Sequence, residues 1–185
     1  MPMNRVPLLA LSAVLSLGVL VACTGTSAPG AQAPQSATKT AETTSATPTG
    51  PPPTPEPSAD GECPYLPSTD VAQANGQLVR KVRLSEGAPT PACFFYADAT
   101  DVQLSVWVFQ GEPTTAKAVV DRAAPIASSN PASSPEGWNG GSVSNDQGAV
   151  YAVAKGGAAV VVSSNQQQTI KAKRIAETVV ANLGL

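Results

Sequence analysis

The chain has 185 residues, of which 42% are hydrophobic, 13% are charged and 4% are aromatic. Its formal net charge of −2 argues against nucleic-acid binding, which requires a strongly basic surface. The sequence contains no histidine, and this excludes histidine-dependent hydrolytic triads, histidine-ligated zinc and histidine-based pH switches.

The N-terminus has the organisation of a bacterial lipoprotein signal. A short head with Arg5 precedes the apolar run 8–21, which is shorter than the roughly 20 residues needed to cross hydrocarbon. The run leads into Leu-Val-Ala-Cys at 20–23, which resembles a lipobox, the motif whose cysteine becomes the lipid-modified first residue of the mature protein. We therefore predict a signal peptide over residues 1–22 and a lipid on Cys23 that anchors the protein outside the cell membrane. A secreted protein with an unmodified cysteine and a retained transmembrane helix are the alternatives.

Residues 24–60 lack the side chains that build a core. The segment contains no Val, Ile, Leu, Met, Cys or aromatic residue and is rich in Thr, Ser, Pro and Ala. Burial there cannot offset about 1–2 kcal/mol of backbone entropy per ordered residue, so we predict a disordered linker over residues 23–60, which includes the lipidated cysteine. The prolines between Pro51 and Pro55 favour the polyproline II conformation, and the composition also fits an O-glycosylated stalk.

Residues 61–185 are long enough for a single domain and contain all eight aromatic residues. Two cysteines remain there, Cys63 and Cys93. In an exported protein such a pair predicts a disulfide. A reactive thiol pair is the alternative, but it lacks the Cys-x-x-Cys spacing.

Hydrophobic periodicity and turn residues predict three helices and six strands in this domain. In chain order, we expect a helix from 68–70 to Gly76 capped by Ser68 or Thr69, strands at 77–84, 93–96 and 102–109, a helix from Pro113 to Pro125, a loop at 126–137, strands at 141–144, 149–154 and 158–163, and a helix at 170–183. Short hairpin links between the strands favour the α+β class, an antiparallel sheet with helices packed on it.

Six short motifs stand out in this region: Cys63-Pro64-Tyr65, Cys93-Phe94-Phe95-Tyr96, Ala123-Ala124-Pro125, Gly137-Trp138-Asn139-Gly140-Gly141, Val150-Tyr151-Ala152-Val153 and Asn165-Gln166-Gln167-Gln168-Thr169. Together they resemble an actinobacterial lipoprotein family known only as a domain of unknown function, number twenty-twenty. The resemblance covers nearly all of residues 61–185 and implies a fold of the Mog1/PsbP type. That family has no assigned activity, so the resemblance implies no catalytic residues.

The glycine-rich segment around Trp138 is the first candidate binding surface. An exposed Trp138, with Asn139 and Gly140 beside it, would form a stacking or anchoring surface. In the alternative, which we favour, Trp138 fills the core and the glycines form a bend or bulge.

Asn165 and Gln166, at the start of the last helix, are the second candidate. Their side-chain amides and the free N–H groups of the helix could bind an anion or a sugar. Alternatively, these residues form an N-cap and a solvated first turn.

Charged groups offer weaker candidates. Asp98 and Asp101 supply too few oxygens for a cation, so we predict no metal site and no cofactor. Five basic residues could meet anionic lipid headgroups, although solvated strand and helix faces are the simpler interpretation. These residues are Lys81, Arg83, Lys171, Lys173 and Arg174.

The favoured function is a membrane-anchored, non-catalytic domain that binds an envelope protein, a glycan or a lipid. A histidine-independent enzyme is the first alternative, with Tyr151 and Lys155 on one face of a strand as its only candidate pair. A structural spacer is the second.

Overall fold

The structure, a computed structural model, describes residues 50–185. The predicted signal peptide, the predicted lipidation site Cys23 and residues 24–49 of the predicted linker lie outside the described residues.

The described part of the chain contains three helices and eight strands. The helices are α1 (Ser68–Asn75), α2 (Pro113–Ala123) and α3 (Thr169–Leu183). The strands are β1 (Ala59–Asp60), β2 (Lys81–Leu84), β3 (Cys93–Tyr96), β4 (Val102–Gln110), β5 (Asn130–Ala132), β6 (Asn139–Asn145), β7 (Gly148–Lys155) and β8 (Ala158–Ser164).

All eight strands form one antiparallel sheet in the order β1-β2-β3-β4-β8-β7-β6-β5. The β4–β8 ladder, with Leu104 opposite Ser164 and Gln110 opposite Ala158, joins the two halves of the sheet. With helices packed against it, this sheet confirms the predicted α+β class.

The six predicted strands are all present, with ends that shift by up to four residues. The strand predicted at 77–84 begins only at Lys81, and β1 and β5 were not predicted. Both missed strands are very short, and β5 contains Pro131 at the edge of the sheet, where a missing N–H costs no ladder bond.

The helix ends follow the predicted stop and start signals with one exception. Gly76 ends α1 in the left-handed conformation with φ 76°, and Pro113 is the first residue of α2. The predicted cap of α1 by Ser68 or Thr69 is wrong, because Pro67 holds the N-cap position and no side chain bonds there.

One face of the sheet, here called the first face, carries α1 and α3. Its core includes β4 residues such as Val106, α3 residues such as Ile175 and the fully buried Phe95. The predicted disulfide between Cys63 and Cys93 is present and packs against this core.

The opposite face, here called the second face, carries α2 over strands β6 to β8. Val119 and Val120 of α2 pack there against Ala152 of β7 and Val161 of β8. Trp107 and Phe109 of β4 also point to this side, at the edge of the area that α2 covers.

The proline-rich arm, residues 50–58, lies beside these two rings. The Arg122 guanidinium donates to the Pro52 carbonyl at 2.7 Å, and the Ser58 N–H donates to the Leu84 carbonyl at 2.8 Å. Residues 50–60, which composition assigns to the predicted disordered linker, thus contact the sheet in the structure. Composition shows only which side chains can build a core, whereas this segment is held by hydrogen bonds of its carbonyl and N–H groups and by half-buried proline rings.

Candidate functional site

A cavity of about 490 Å³ opens on the second face, between α2, the loop that follows it, and strands β5 to β7. We call it the α2 pocket. Its volume lies in the range of roughly 300–1,000 Å³ that is usual for small-molecule sites. The wall is mainly apolar, from Val120, Ala124, Ile126, Pro131 and Ala154.

The polar groups of the α2 pocket lie at its rim. Lys117 and Asp121 form an ion pair one helical turn apart, and the exposed Asn139 contributes an amide. Ile126 is 77% exposed, which leaves a large apolar side chain open to solvent at the mouth. The arrangement suits a molecule with an apolar body and a polar end.

Gly140 allows the backbone of β6 to line this pocket. A Cβ on Gly140 would clash with the carbonyl oxygen of Ala152, so the close approach of β6 to β7 requires glycine at this position. A Cβ on Gly141 would lie 2.5 Å from the Ser129 hydroxyl oxygen, so a larger residue there would force the Ser129 side chain to move.

Trp138 does not present its ring to solvent. The side chain is 1% exposed and belongs to the core of the first face, so the alternative that we favoured is confirmed for the ring. Of the glycines, Gly137 takes a positive φ in a turn, whereas Gly140 and Gly141 pair with β7 in regular register and form no bulge. Successive strand residues point to opposite faces, so the Asn139 side chain points away from Trp138 and lines the α2 pocket, where Gly140 contributes only backbone. Two of the three predicted surface residues, Asn139 and Gly140, therefore line a pocket, and the third, Trp138, does not.

Asn165 and Gln166 lie apart from the α2 pocket, in hydrogen bonds that link α1 to α3. The Asn75 amide donates to the Asn165 side-chain oxygen at 3.3 Å. The Lys171 ammonium donates to the Asn75 carbonyl at 3.0 Å and to the Gln166 side-chain oxygen at 3.3 Å. Neither residue caps α3, whose N-cap position is Gln168 without a side-chain bond.

These bonds extend into a buried polar cluster that periodicity did not reveal. Asn75 donates to the Gln103 side-chain oxygen at 3.1 Å and accepts from the Ser164 hydroxyl at 2.7 Å. Gln103 in turn donates to the Leu78 carbonyl at 2.8 Å. Asn75, Gln103 and Ser164 are all buried, so the cluster fixes α1 against the end of the β4–β8 ladder.

Tyr151 and Lys155, the candidate pair for an enzyme, do not meet in a cleft. Tyr151 is buried and its hydroxyl donates to the Ser134 carbonyl at 2.8 Å. Lys155 is exposed at the end of β7, about 13 Å along the strand. Burial raises the pKa of Tyr151, with the nearby Glu177 carboxylate adding to the shift, so the phenol holds its proton more firmly than an exposed tyrosine does.

A second polar group surrounds Tyr151 instead. The Ser134 hydroxyl donates to the Glu177 carboxylate, which also lies 3.8 Å from the Lys173 ammonium. Ser134, Tyr151 and Lys173 line a cavity of about 240 Å³. The sequence offered no signal for this cluster, because its members come from a loop, a strand and a helix.

The two aspartates at the β3–β4 turn serve the backbone. The Asp98 carboxylate accepts from the N–H groups of Asp101 at 2.9 Å and Thr100 at 2.8 Å, and these bonds lower the pKa of Asp98. Among residues 50–185, no group of three or more carboxylate or cysteine side chains is placed to hold a metal ion.

The basic residues are divided between the two faces. Lys81 and Arg83 alternate with Val82 and Leu84 on β2, which pack toward the first face, so the two basic side chains point to the second. Lys171, Lys173 and Arg174 belong to α3, which packs on the first face. The five residues therefore do not form one surface for a membrane.

Within the described region, no helix is both long and apolar enough to cross a membrane.

No curated protein matches the chain in sequence. Comparison with protein families matches residues 46–185 to the family described as Domain of unknown function (DUF2020). The matched range begins before the proline-rich arm, so the family's domain includes the arm as well as the sheet and helices. Since the match covers most of the chain, the protein belongs to this family.

Proposed function

We propose that this protein is a lipid-anchored lipoprotein of the actinobacterial cell envelope, with a Mog1/PsbP-type domain that binds a small amphiphilic ligand without catalysis. The α2 pocket is the observation that carries the binding role. Its apolar wall would bury the body of the ligand, and the rim amide of Asn139 and the Lys117–Asp121 pair would bond its polar end.

The energetic argument starts from the exposed apolar surface. Ile126 is 77% exposed and Pro131 is exposed as well, whereas Val120 and Ala124 are buried behind them, so water contacts an apolar wall at the mouth of the pocket. Covering that wall gains roughly 25 cal/mol for each Å² of apolar surface removed from water. A ligand that covers Ile126 therefore gains more binding free energy than a ligand that covers an isolated apolar side chain elsewhere on the surface.

Binding at the α2 pocket can be tested with an apolar fluorescent dye, N-phenyl-1-naphthylamine. We expect saturable binding to the protein, weakened about tenfold by Ile126→Ser, since a polar side chain at the mouth removes roughly 1–2 kcal/mol of apolar contact. Leu78→Ser is the matched control, because Leu78 is also exposed, at 67%, but does not line the pocket. Equal weakening by both substitutions, or no binding at all, would contradict the proposal.

The anchor is supported by the lipobox-like sequence that ends at Cys23. Mass spectrometry of protein extracted from membranes of the native host should show acyl chains on Cys23 and no residues before it. Cys23→Ser should prevent both the acylation and the cleavage. An unacylated chain that still begins at Met1 would contradict the anchor and leave the pocket proposal untouched.

The Ser134–Glu177 hydrogen bond is the one observation that favours the enzyme alternative, since a carboxylate could accept the proton of a serine nucleophile. A fluorophosphonate probe decides between the two. Labelling that disappears in Ser134→Ala would favour an enzyme, whereas absence of labelling is the result that we expect. A protein that binds neither dye nor probe would fit a structural spacer.

A further inference from the structure

The proline-rich arm lies along an aromatic surface that α2 leaves open. Trp107 and Phe109 of β4 form an edge-to-face pair, with ring centroids 6.5 Å apart and ring planes at 80°. Both side chains are only half-buried. The arm and the two rings line one cleft of about 650 Å³, so the arm fills the surface incompletely.

Most of the proline rings of the arm are turned toward the protein. Pro51, Pro52, Pro55 and Pro57 are half-buried, whereas Pro53 is exposed. Prolines in series favour the extended polyproline II conformation, in which successive side chains point to different sides of the chain. The arm therefore rests on the protein through part of its proline rings.

Arg122 supplies the polar contact that such a segment needs. Its guanidinium lies 5.5 Å from the centre of the Trp107 ring, in a cation–π arrangement, and donates to the Pro52 carbonyl at 2.7 Å. Proline has no N–H group, so a proline-rich segment offers only carbonyl acceptors. Aromatic rings beside a donor to a carbonyl are the elements by which domains recognise such peptides.

The contacts that hold residues 51–57 are separate from those of the sheet. Backbone pairing with β2 begins at Ser58, where the N–H group bonds to the Leu84 carbonyl at 2.8 Å. Before Ser58, the arm has the Arg122 bond and half-buried proline rings. It can therefore leave the rings without breaking a strand of the sheet.

We propose that Trp107, Phe109 and Arg122 form a recognition groove for proline-rich peptides, and that the arm is its resting occupant. A proline-rich segment of another protein takes the place of the arm. Because the arm is tethered beside the groove, its effective concentration is about millimolar, and the partner must compete with it. The groove thus binds a peptide partner at a place distinct from the α2 pocket.

The test uses the full chain with the arm weakened by Pro→Ser substitution at Pro51, Pro52, Pro53, Pro55 and Pro57. The probe is a synthetic peptide with the sequence of residues 51–58, and the signal is tryptophan fluorescence. The chain has two tryptophans, and Trp138 is 1% exposed, so changes report on Trp107. Trp107→Phe should remove the response.

We expect the emission of the substituted chain to lie at longer wavelength than that of the unmodified chain. Adding the peptide should reverse this shift. The peptide concentration at the midpoint should be about tenfold lower than for the unmodified chain, because there the arm competes with the peptide. Arg122→Ala should abolish the response to the peptide. Arg174→Ala, an exposed arginine on α3, is the matched control and should preserve it.

A Gly/Ser peptide of the same length that binds equally well, or an emission unchanged by the proline peptide, would overturn the proposal. Nuclear magnetic resonance of the unmodified chain provides a second measurement that does not depend on the substituted variant folding. The peptide should shift the Trp107 indole N–H signal and leave that of Trp138 in place. The unmodified chain could instead form a dimer that the peptide dissociates. That result would show that the arm in each groove comes from a second copy, and it would overturn the assignment of the resting arm to the same chain.

Discussion

The two faces of the sheet differ in how completely they are covered. The first face carries two helices, the disulfide and the buried polar cluster around Asn75, and its core includes the largest fully buried side chain, Trp138. The second face carries one helix and an extended arm, and it leaves the α2 pocket and half-buried aromatic rings open. The comparison teaches that stability is concentrated on the first face, while the larger openings lie on the second.

The strongest test of this division makes the same substitution on each face. Trp138→Ala should lower the free energy of unfolding by about 3–5 kcal/mol, because it removes a large side chain from a packed core. Trp107→Ala should cost less than about 2 kcal/mol, because that ring is already half in contact with water. Urea denaturation followed by circular dichroism measures both. Similar losses from the two variants would refute the division.

The disulfide should have the next largest effect. Cys63 and Cys93 are 30 residues apart, so replacing both with alanine restores the freedom of that loop in the unfolded chain. On the chain-entropy account we expect a loss of about 3–4 kcal/mol. Thermal and urea unfolding with and without reductant measure it. Reductant should destabilise the unmodified protein and leave the double variant unchanged, whereas a double variant as stable as the parent would show that the first face does not depend on this link.

The buried polar cluster provides a smaller, more local test. Asn75→Ala should cost about 1–3 kcal/mol, because it leaves the Gln103 amide oxygen and the Ser164 hydroxyl without their partner. Asn165→Ala is the control from the same network. Asn165 is exposed, so water can replace its bond, and we expect less than about 0.5 kcal/mol. Equal costs would indicate that the cluster is not sealed from solvent.

The smallest effect should come from Asp98, which lies in a turn at neither face. Backbone N–H groups lower the pKa of Asp98 in the folded state, so its stabilising contribution is complete above the unfolded pKa of about 3.9. That contribution is lost as the pH falls through the lower folded-state pKa. Asp98→Ala should therefore be less stable than the parent at pH 7 and equal to it in strong acid. Asp146→Ala, in the exposed β6–β7 turn, is the control and should be as stable as the parent at pH 7.

Local signals predicted the secondary structure well where they were strong. The apolar spacing of α3, Pro113 at the start of α2 and Gly76 after α1 each act within a few residues, and all three elements are present. Strands β1 and β5 escaped prediction because two or three residues carry no period. Each of them forms only by pairing with another strand, β1 with β2 on the far side of α1 and β5 with β6 across residues 133–138.

The candidate site was predictable only in part. Asn139 and Gly140 were candidate binding residues, and both line the α2 pocket. Ile126 was predicted only as part of a loop, because its place at the pocket depends on the helix and strands that surround it. Trp138 illustrates the same limit, since flanking glycines are compatible with an exposed or a buried ring. Its burial depends on the first-face core, which the residue just before β6 meets only in the folded chain.

By itself, the sequence determined the α+β class, the order of the main elements and the pairing of Cys63 with Cys93, because these follow from periodicity, turn residues and cysteine count. Only the tertiary structure decided that the proline-rich arm lies on the sheet and that α2 leaves a pocket beside it. These features depend on contacts between residues far apart in the chain, such as the 70-residue separation between Pro52 and Arg122, and no local pattern encodes such a contact.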